Sequence, residues 1–327
     1  MNIIGISAFF HDSSAVLINK EEIKFAIQEE RLTRIKHDSN FPKESIKLIK
    51  KKYDLEINDI QYFVFYDKPI KKFVRLIDTY LSYAPKGFKS FTKSIPLWGK
   101  EKLYQSNIIC ENLASIFNVS KKEIKAKLLF SEHHLSHAAS AFFPSPFKES
   151  AILTLDGVGE YATSSISVGN KNKIETLKEI NFPNSLGLFY SAFTYFTGFK
   201  VNSGEYKLMG LAPYGNPVFK KKIYDNLIHV FEDGSFILNQ KYFDYTTGLK
   251  MTSEKMEELF GTKARNEKEE ILPIHMDIAA SIQAVLEEVI LKICLCVKKI
   301  TNLNNLCLAG GVALNCVANS KIIKNNI

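Results

Sequence analysis

The sequence of 327 residues has no apolar run of membrane-spanning length. Its most apolar helical stretch, 282–297, is interrupted by Glu287, Glu288 and Lys292, whereas a membrane-spanning helix needs about 20 mostly apolar residues. The first residues also lack the basic segment that precedes the apolar core of a signal peptide. These absences argue against a membrane protein and predict a cytoplasmic location.

Cysteine is sparse and arginine is rare. The five cysteines include no CxxC pair, the spacing typical of zinc and dithiol redox sites, so we expect buried free thiols in a reducing compartment. Only four residues are arginine, and dispersed lysines carry most of the net charge of +8. A nucleic-acid surface is typically a dense patch of arginine and aromatic residues. We therefore expect no nucleic-acid partner, although the positive charge would attract an anionic substrate or a nucleotide.

The composition indicates a globular protein, since 46% of residues are hydrophobic and 24% are charged. The runs IIGISAFF and AVLIN flank the polar HDSS and predict a hairpin, and IKFAIQEE predicts a third strand. A helix is predicted after Pro42, followed by the strand IQYFVFYD. The basic and aromatic residues 70–107 predict a partly helical insertion.

The pattern of strand, turn and strand repeats from residue 151. AILTLDGVGE predicts an apolar strand that enters a glycine turn, and TSSISVG predicts the next strand. An amphipathic helix is predicted over 275–299, followed by the strand LCLAGG and a helix in ALNCVANSKII. We therefore predict a duplicated fold of two lobes, 1–150 and 151–327, with a cleft between them. Because the chain stops directly after a strand, turn and helix, we expect lobe two to be incomplete.

Histidine is rare but clustered, because SEHHLSH contains three of the seven. Ser131 is a candidate N-cap for a helix here. On that helix His133 and His137 share one face, which suits two ligands of one metal ion, while His134 points elsewhere. The HxxxH spacing is a weak signal alone, and ordinary hydrogen-bonding histidines are the alternative.

Asp156 closes the apolar strand AILTL and is followed by two glycines, Gly157 and Gly159. A carboxylate at the carboxyl end of a strand lies where α/β proteins form their sites, and the glycines allow close backbone approach to a ligand. Two histidines and one carboxylate would favour Fe(II), although Zn²⁺ or Mn²⁺ would also fit. A turn aspartate that bonds its own backbone is the alternative.

Three further segments are candidates for contact with an anion. In SGEYKLMGLAPYG, Lys207 could reach a phosphate and Glu205 could bond a ribose or orient the lysine; a surface turn is the alternative. In AGGVALN, the strand–helix turn at Gly310 and Gly311 exposes backbone N–H groups, although a simple tight turn fits as well.

The third segment is HDSS, which contains His11 and Asp12 as catalytic candidates. Its hydroxyl and amide groups could meet an anion at the tip of the predicted hairpin. A plain turn is the alternative interpretation.

Together these motifs resemble the NodU/CmcH family of O-carbamoyltransferases. The resemblance extends from residue 3 to about 322 and rests on seven stretches: GISAFFHDSSAVLI, EERLTRIKHDSNFP, EHHLSHAASAFFPSPF, LTLDGVGE, NSLGLFYSAFTYFTGF, GEYKLMGLAPYG and LAGGVALNCVANSKI. It implies the bilobed actin/hexokinase/Hsp70-like (ASKHA) fold. It also implies transfer of a carbamoyl group from carbamoyl-adenylate to a hydroxyl of a small molecule or glycan, assisted by a divalent metal.

The resemblance also implies roles for individual residues. His133, His137 and Asp156 match the family's metal ligands. The nucleotide-binding turn of the family matches Gly310, Gly311 and Asn315, and Glu205 and Lys207 lie where the family approaches the nucleotide.

Two parts of the family pattern are absent from these 327 residues. One is a later aspartate that supplies a fourth metal ligand, and the other is a C-terminal YrdC-like domain that makes carbamoyl-adenylate from carbamoyl phosphate and ATP. We therefore expect a truncated chain whose own activity is in doubt. The main alternative is a non-catalytic fragment that binds a nucleotide or a partner, and a less favoured one is a tRNA-modifying enzyme of the threonylcarbamoyl type. The insertion at 70–107 is our candidate for acceptor specificity.

Overall fold

The computed structural model describes residues 1–20, 22–99 and 103–325. Residues 100–102 of the predicted insertion and residues 326–327 of predicted lobe two lie outside the described residues. The chain divides into two compact units: unit one is Met1–Arg75 and Ser94–Ser136, and unit two is Leu76–Lys93 and His137–Ile327. The predicted lobe boundary at residue 150 stays a prediction. No helix in the described ranges is both long and apolar enough to cross a membrane.

Unit one is built on a five-stranded sheet in the order β3-β2-β1-β4-β5. Its strands are β1 Asn2–Ser7, β2 Ser14–Asn19, β3 Glu22–Gln28, β4 Ile60–Phe65 and β5 Leu128–Phe130. Strand β2 pairs antiparallel with both β1 and β3, whereas β4 runs parallel to β1 and β5 runs parallel to β4. Ile4 and Ile6 alternate with more exposed neighbours because successive side chains of a strand point to opposite faces. The hairpin and the order of the first four strands are as predicted.

Four helices belong to unit one: α1 Glu30–Thr33, α2 Lys43–Tyr53, α5 Gln105–Phe117 and α6 Lys121–Lys127. Ile46 and Ile49 of α2 and Ile109 of α5 are fully buried in one core with Phe63 and Phe65 of the sheet. The helix predicted after Pro42 is present, and it covers the sheet.

Unit two repeats the strand pattern in a four-stranded sheet of order β11-β6-β7-β8. Its strands are β6 Glu149–Leu155, β7 Ala162–Asn170, β8 Lys173–Asn181 and β11 Leu306–Ala309, and a separate hairpin has β9 Ile228–Val230 and β10 Phe236–Leu238. As in unit one, three antiparallel strands follow one another, and a later strand runs parallel to the first. The predicted α/β class is confirmed, and the four strands of this sheet repeat the arrangement of β1 to β4 in unit one.

The helices within the described residues of unit two are α8 Leu186–Phe196, α9 Glu205–Leu211, α10 Lys220–Asn226, α11 Glu254–Phe260, α12 Pro273–Thr301 and α13 Cys316–Lys324. Helices α8, α9, α10 and α13 contact the long helix α12. Ile278, Ile282, Val285 and Val289 of α12 are fully buried, as expected for apolar residues three or four positions apart. The helix predicted over 275–299 is confirmed and extends two residues further at each end.

Three helices contain residues of both units: α3 Pro69–Tyr83, α4 Phe88–Trp98 and α7 His133–Phe142. The first two confirm that the insertion is partly helical. Because α7 begins at His133, the prediction of Ser131 as its N-cap is wrong; the Ser131 amide instead donates to the carbonyl of Phe65. All five cysteines are free, and Cys110, Cys294 and Cys307 are buried.

A buried carboxylate supplies the N-terminal cap that α2 lacks. Pro42 precedes α2 and has no capping side chain, and Glu29, 2% exposed, takes its place. The Glu29 carboxylate accepts hydrogen bonds from the amides of Glu44 and Ser45 at 2.9 and 2.8 Å and from Ser45 Oγ at 2.6 Å. A negative charge is favourable at this end of a helix dipole.

We expect Glu29→Ala to lower the free energy of unfolding by about 2–4 kcal/mol, because it leaves the buried donors of α2 without an acceptor. The control is Glu44→Gln, which removes an exposed ion pair with Lys47 and one exposed charge from the first turn of α2 and should cost at most about 1 kcal/mol. Urea unfolding measures both effects, and amide hydrogen exchange should show the loss of protection at the start of α2. Equal losses in the two variants would contradict the capping role.

Candidate metal centre

The geometry of the candidate metal centre is set by Asp156, which directly follows β6. Its amide donates to the carbonyl of Thr163 on β7 at 2.9 Å. Its Oδ1 accepts a 3.2 Å hydrogen bond from the amide of Gly311. Its Oδ2 lies 3.6 Å from Nε2 of His137. One carboxylate oxygen is thus held by the backbone and the other faces an imidazole.

The start of α8 fixes the backbone of this turn. Ser185 caps α8 by accepting from the Leu188 amide, and its Oγ lies 2.6 Å from the carbonyl oxygen of Gly157 and 3.2 Å from that of Asp156. A Cβ at Gly187 would lie 2.6 Å from the Asp156 carbonyl oxygen, a distance that real structures do not tolerate. Sequence reasoning did not identify Ser185 or Gly187. A serine at the N-cap with a glycine in the first helical turn was nevertheless a signal that another segment packs closely against the start of α8.

Helix α7 carries the two histidines as predicted. His133 and His137 lie one turn apart in a continuous helix, so their rings project from the same face. The ring of His133 lies 5.6 Å from that of Tyr66, measured between centroids. His134 is buried, at 6% exposure, whereas His133, His137 and Asp156 are half-buried.

These three residues fit a divalent ion by their donor chemistry. Imidazole nitrogens and a carboxylate oxygen bind such ions at about 2.0–2.2 Å, which places neighbouring ligand atoms about 3.0–3.6 Å apart. The 3.6 Å separation of His137 Nε2 and Asp156 Oδ2 falls in this range and is longer than an ordinary hydrogen bond. Three ligands would leave positions open for water or substrate. The metal role itself stays a prediction.

The two glycine turns of unit two meet at Asp156. Gly310 has a φ of +88°, and a Cβ there would lie 2.3 Å from the carbonyl oxygen of Leu155, so only glycine fits against the end of β6. In the described part of the chain no atom lies within 4 Å of a Cβ position at Gly157. The amide of Gly159 closes its own turn on the carbonyl of Ala162.

Glu205 and Asn315 make local contacts where nucleotide contacts are predicted. The Glu205 carboxylate accepts from the amides of Asn202 and Gly204 at 2.9 and 3.1 Å and from Ser191 Oγ at 2.8 Å. These contacts favour the alternative of a surface turn for this glutamate. Lys207 is exposed two positions further along α9.

Asn315, 8% exposed, caps α13 through the Ala318 amide. Its side-chain amide pairs with that of Gln283 on α12 through hydrogen bonds of 2.9 and 3.0 Å. Tyr190 donates to the same Gln283 at 2.9 Å. Burial raises the pKa of Tyr190, so its hydroxyl stays a donor. Gln283 gave no sequence signal because its partners are 93 and 32 positions away.

The catalytic candidates of unit one lie between β1 and β2. His11 Nδ1 lies 2.8 Å from Asp12 Oδ2, and His37 Nδ1 lies 3.0 Å from the other oxygen, Oδ1. Burial alone would raise the pKa of Asp12, but the hydrogen bonds from His37 and His11 outweigh it and the pKa falls below its usual value. Asp12, Glu30 and His37 have ligand atoms within 4.8 Å of one another. Sequence reasoning missed His37, because the pairing joins positions 25 residues apart.

Known proteins resemble this chain over almost its whole length. The family model of the carbamoyltransferase N-terminus matches residues 2–327. The uncharacterized protein sll1178 of Synechocystis is 51% identical over 323 residues, which are 99% of this chain and 52% of that protein. The nodulation protein NolNO of Sinorhizobium fredii is 30% identical over 321 residues, 98% of this chain and 43% of that protein. The chain thus spans about half the length of these relatives.

Among solved structures, HypF of T. kodakarensis matches with a TM-score of 0.45 and 14% identity, over 99% of this chain and 44% of that chain. This likeness is too distant to carry an argument.

We expect Gly187→Ala to lower the free energy of unfolding by about 1–3 kcal/mol, because the added methyl group collides with the turn at Asp156. The control is Gly210→Ala in α9, where a Cβ meets open space and alanine should raise the free energy by up to about 1 kcal/mol. Urea unfolding followed by circular dichroism compares the two. Equal effects would show that α8 does not pack on this turn as described.

Proposed function

Because this chain belongs to the family of carbamoyltransferase N-terminal domains, we propose that it transfers a carbamoyl group from carbamoyl-adenylate to a hydroxyl of a small molecule or glycan. The family match over residues 2–327 is the observation that carries the proposal. The arrangement of His137, Asp156 and the Gly310–Gly311 turn supports it, since it joins metal-ligand chemistry to an anion-binding type of turn.

The proposed metal ligands are His133, His137 and Asp156, with Fe(II) as the preferred ion and Zn²⁺ or Mn²⁺ as alternatives. When bound, the ion would polarise a carbonyl oxygen and lower the pKa of a hydroxyl group. The chain's own contribution is to orient the ligands. The amide of Gly311 holds one oxygen of Asp156, which leaves the other oxygen toward His137.

Nucleotide contact is proposed for the backbone around Gly157, Gly159, Gly310 and Gly311 and for the exposed Lys207. The positive charge of Lys207 suits the phosphate of carbamoyl-adenylate. We further propose that carbamoyl-adenylate is made from carbamoyl phosphate and ATP by a separate YrdC-like domain. The insertion at 70–107 remains the proposed source of acceptor specificity.

Proton transfer is proposed for unit one. The acceptor hydroxyl must lose its proton when its oxygen bonds to the carbamoyl carbon. His11, paired with Asp12 at 2.8 Å, is the group proposed to take it, because a neutral imidazole can accept a proton near neutral pH.

A second candidate function is binding of a nucleotide or a partner without catalysis. The contacts of Glu205 and Asn315 favour it, because their side-chain oxygens already hold turns and helices of unit two. This function predicts nucleotide binding that does not depend on a metal, and no turnover of supplied carbamoyl-adenylate.

We expect His137→Ala to weaken binding of Fe(II) or Mn²⁺ at least about tenfold, because it removes one of few protein ligands. Anaerobic calorimetric titration of the chain measures this, with His229→Ala as the control because His229 is exposed on β9. Equal affinity in the two variants would remove His137 from the metal site.

The same variants test the activity. The chain is supplied with carbamoyl-adenylate and a panel of sugars, and mass spectrometry measures AMP and the carbamate ester. We expect His137→Ala to abolish the metal-dependent ester and His229→Ala to preserve it. Ester formation that is equal in both variants would contradict metal-assisted transfer at this site. Absence of the ester from the unaltered chain, with nucleotide binding retained, would favour the second candidate function.

A further inference from the structure

We propose that His37 is a positioning residue that fixes the orientation and the tautomer of His11 through the carboxylate they share on Asp12. This inference deepens the proposed function and rests on it for its catalytic meaning. It concerns residues of unit one only.

The contact geometry is that of one acceptor between two donors. Asp12 offers Oδ2 to His11 Nδ1 at 2.8 Å and Oδ1 to His37 Nδ1 at 3.0 Å. A carboxylate with two oxygens, each engaged by a different ring, cannot rotate without breaking one of the two contacts. Without His37, the Asp12 carboxylate would contact only the ring of its neighbour His11, and it could rotate away from that ring.

His37 is itself held in place by the segment around it. Its amide donates to Glu30 Oε2 at 2.9 Å. The following residues are tied to the β1–β2 turn, since the amide of Ser13 donates to the Asp38 carbonyl and the amide of Phe9 donates to the Ser39 carbonyl, each at 2.8 Å. His11 thus contacts Asp12 from within the β1–β2 turn, whereas His37 contacts it from the loop that is tied to this turn.

The backbone of both residues is also unusual. Asp12 has a φ of +51° and His37 a φ of +57°, a region that non-glycine residues adopt in only a few per cent of cases. The surrounding hydrogen bonds offset the energetic cost of these backbone conformations and keep Asp12 and His37 in contact.

The chemical consequence falls on His11. An ionised carboxylate only accepts hydrogen bonds, so each ring must present an N–H at Nδ1. A neutral His11 with its proton on Nδ1 has its lone pair on Nε2, the tautomer needed for a general base. About half of each side chain is exposed, 48% for His11 and 51% for His37, so solvent and a ligand can reach the rings.

In the proposed transfer, the proton of the acceptor hydroxyl moves to His11 Nε2 while the hydroxyl oxygen bonds to the carbamoyl carbon. The bond between that carbon and the phosphate oxygen breaks, and AMP leaves with the electron pair. The products are a carbamate ester and AMP, and His11 later returns the proton to solvent. His37 touches none of the reacting atoms and acts only through Asp12.

Glu30 and Arg31 are charged residues near this pair. Glu30 Oε2 accepts the hydrogen bond from the His37 amide, and Arg31 Nε lies 3.9 Å from Glu30 Oε1. The ligand atoms of Asp12, Glu30 and His37 lie within 4.8 Å, which makes a bound cation the competing explanation of the cluster. A cation bound there through Nδ1 of His37 would take its lone pair, and the His37 ring would then carry its proton on Nε2.

The test compares His37→Gly with His37→Asn. Both residues accept a positive φ, so the backbone is matched, but only asparagine has a side-chain N–H₂ near the former position of Nδ1. Imidazole ¹⁵N NMR of the whole chain near pH 8 reads the tautomer of His11, and backbone amide spectra show that each variant is folded.

We expect the Nδ1–H tautomer of His11 to dominate in the unaltered chain and in His37→Asn, and to become the minor form in His37→Gly. In the transfer assay His37→Gly should lower kcat about 10–100-fold with KM for the acceptor unchanged, because positional control of a base is lost. His37→Asn should restore kcat to within a few-fold.

The outcomes separate this inference from the proposed function. If the chain transfers no carbamoyl group but the tautomer depends on the residue at 37 as stated, the proposed function fails and the positioning role stands. If transfer occurs and the tautomer of His11 is the same in all three proteins, the positioning role is overturned. Saturable shifts of the His11 and His37 resonances with stoichiometric Zn²⁺, at micromolar affinity, would overturn it in favour of a cation site.

Discussion

The candidate centre depends on how tightly the turn after β6 is held. Asp156 is fixed from three directions: by β7 through its amide, by Ser185 of α8 at its carbonyl, and by Gly311 at one carboxylate oxygen. Glycine at positions 187 and 310 is what permits these approaches, because a methyl group at either position would meet backbone atoms of the turn. The other carboxylate oxygen, Oδ2, lies 3.6 Å from Nε2 of His137. A preorganised ligand of this kind loses little freedom when an ion binds.

The same sheet pattern occurs in both units, and in each unit the candidate site residues lie at the same topological point. In unit one the turn between the first two strands carries His11 and Asp12, and in unit two the corresponding turn carries Asp156 and Gly157. Each turn directly follows a central strand that has an antiparallel neighbour on one side and a parallel neighbour on the other. Such a strand end is exposed beyond the sheet and is rigid, which suits a catalytic or binding residue.

Much of this could be predicted from local sequence. Strand alternation, the period of α12 and the spacing of the two histidines depend on residues near one another in the chain, so short patterns identified them. The contacts that sequence reasoning missed join distant positions: Glu29 with the start of α2, Gln283 with Asn315, and His37 with Asp12. Polar side chains have no periodicity that reveals a partner tens of residues away. Glu205 is the reverse case. Its motif predicted contact with a nucleotide, whereas its carboxylate oxygens accept hydrogen bonds from backbone amides of the preceding loop.

The most direct test of the central claim is a crystal structure of the chain grown with Mn²⁺, with an anomalous difference map to locate the ion. Our account predicts one strong peak about 2.0–2.2 Å from both His137 Nε2 and Asp156 Oδ2, with the hydrogen bond from Gly311 to Asp156 Oδ1 retained. A strong anomalous peak at another position, with the Asp156 carboxylate bonded only to its own turn, would contradict this account.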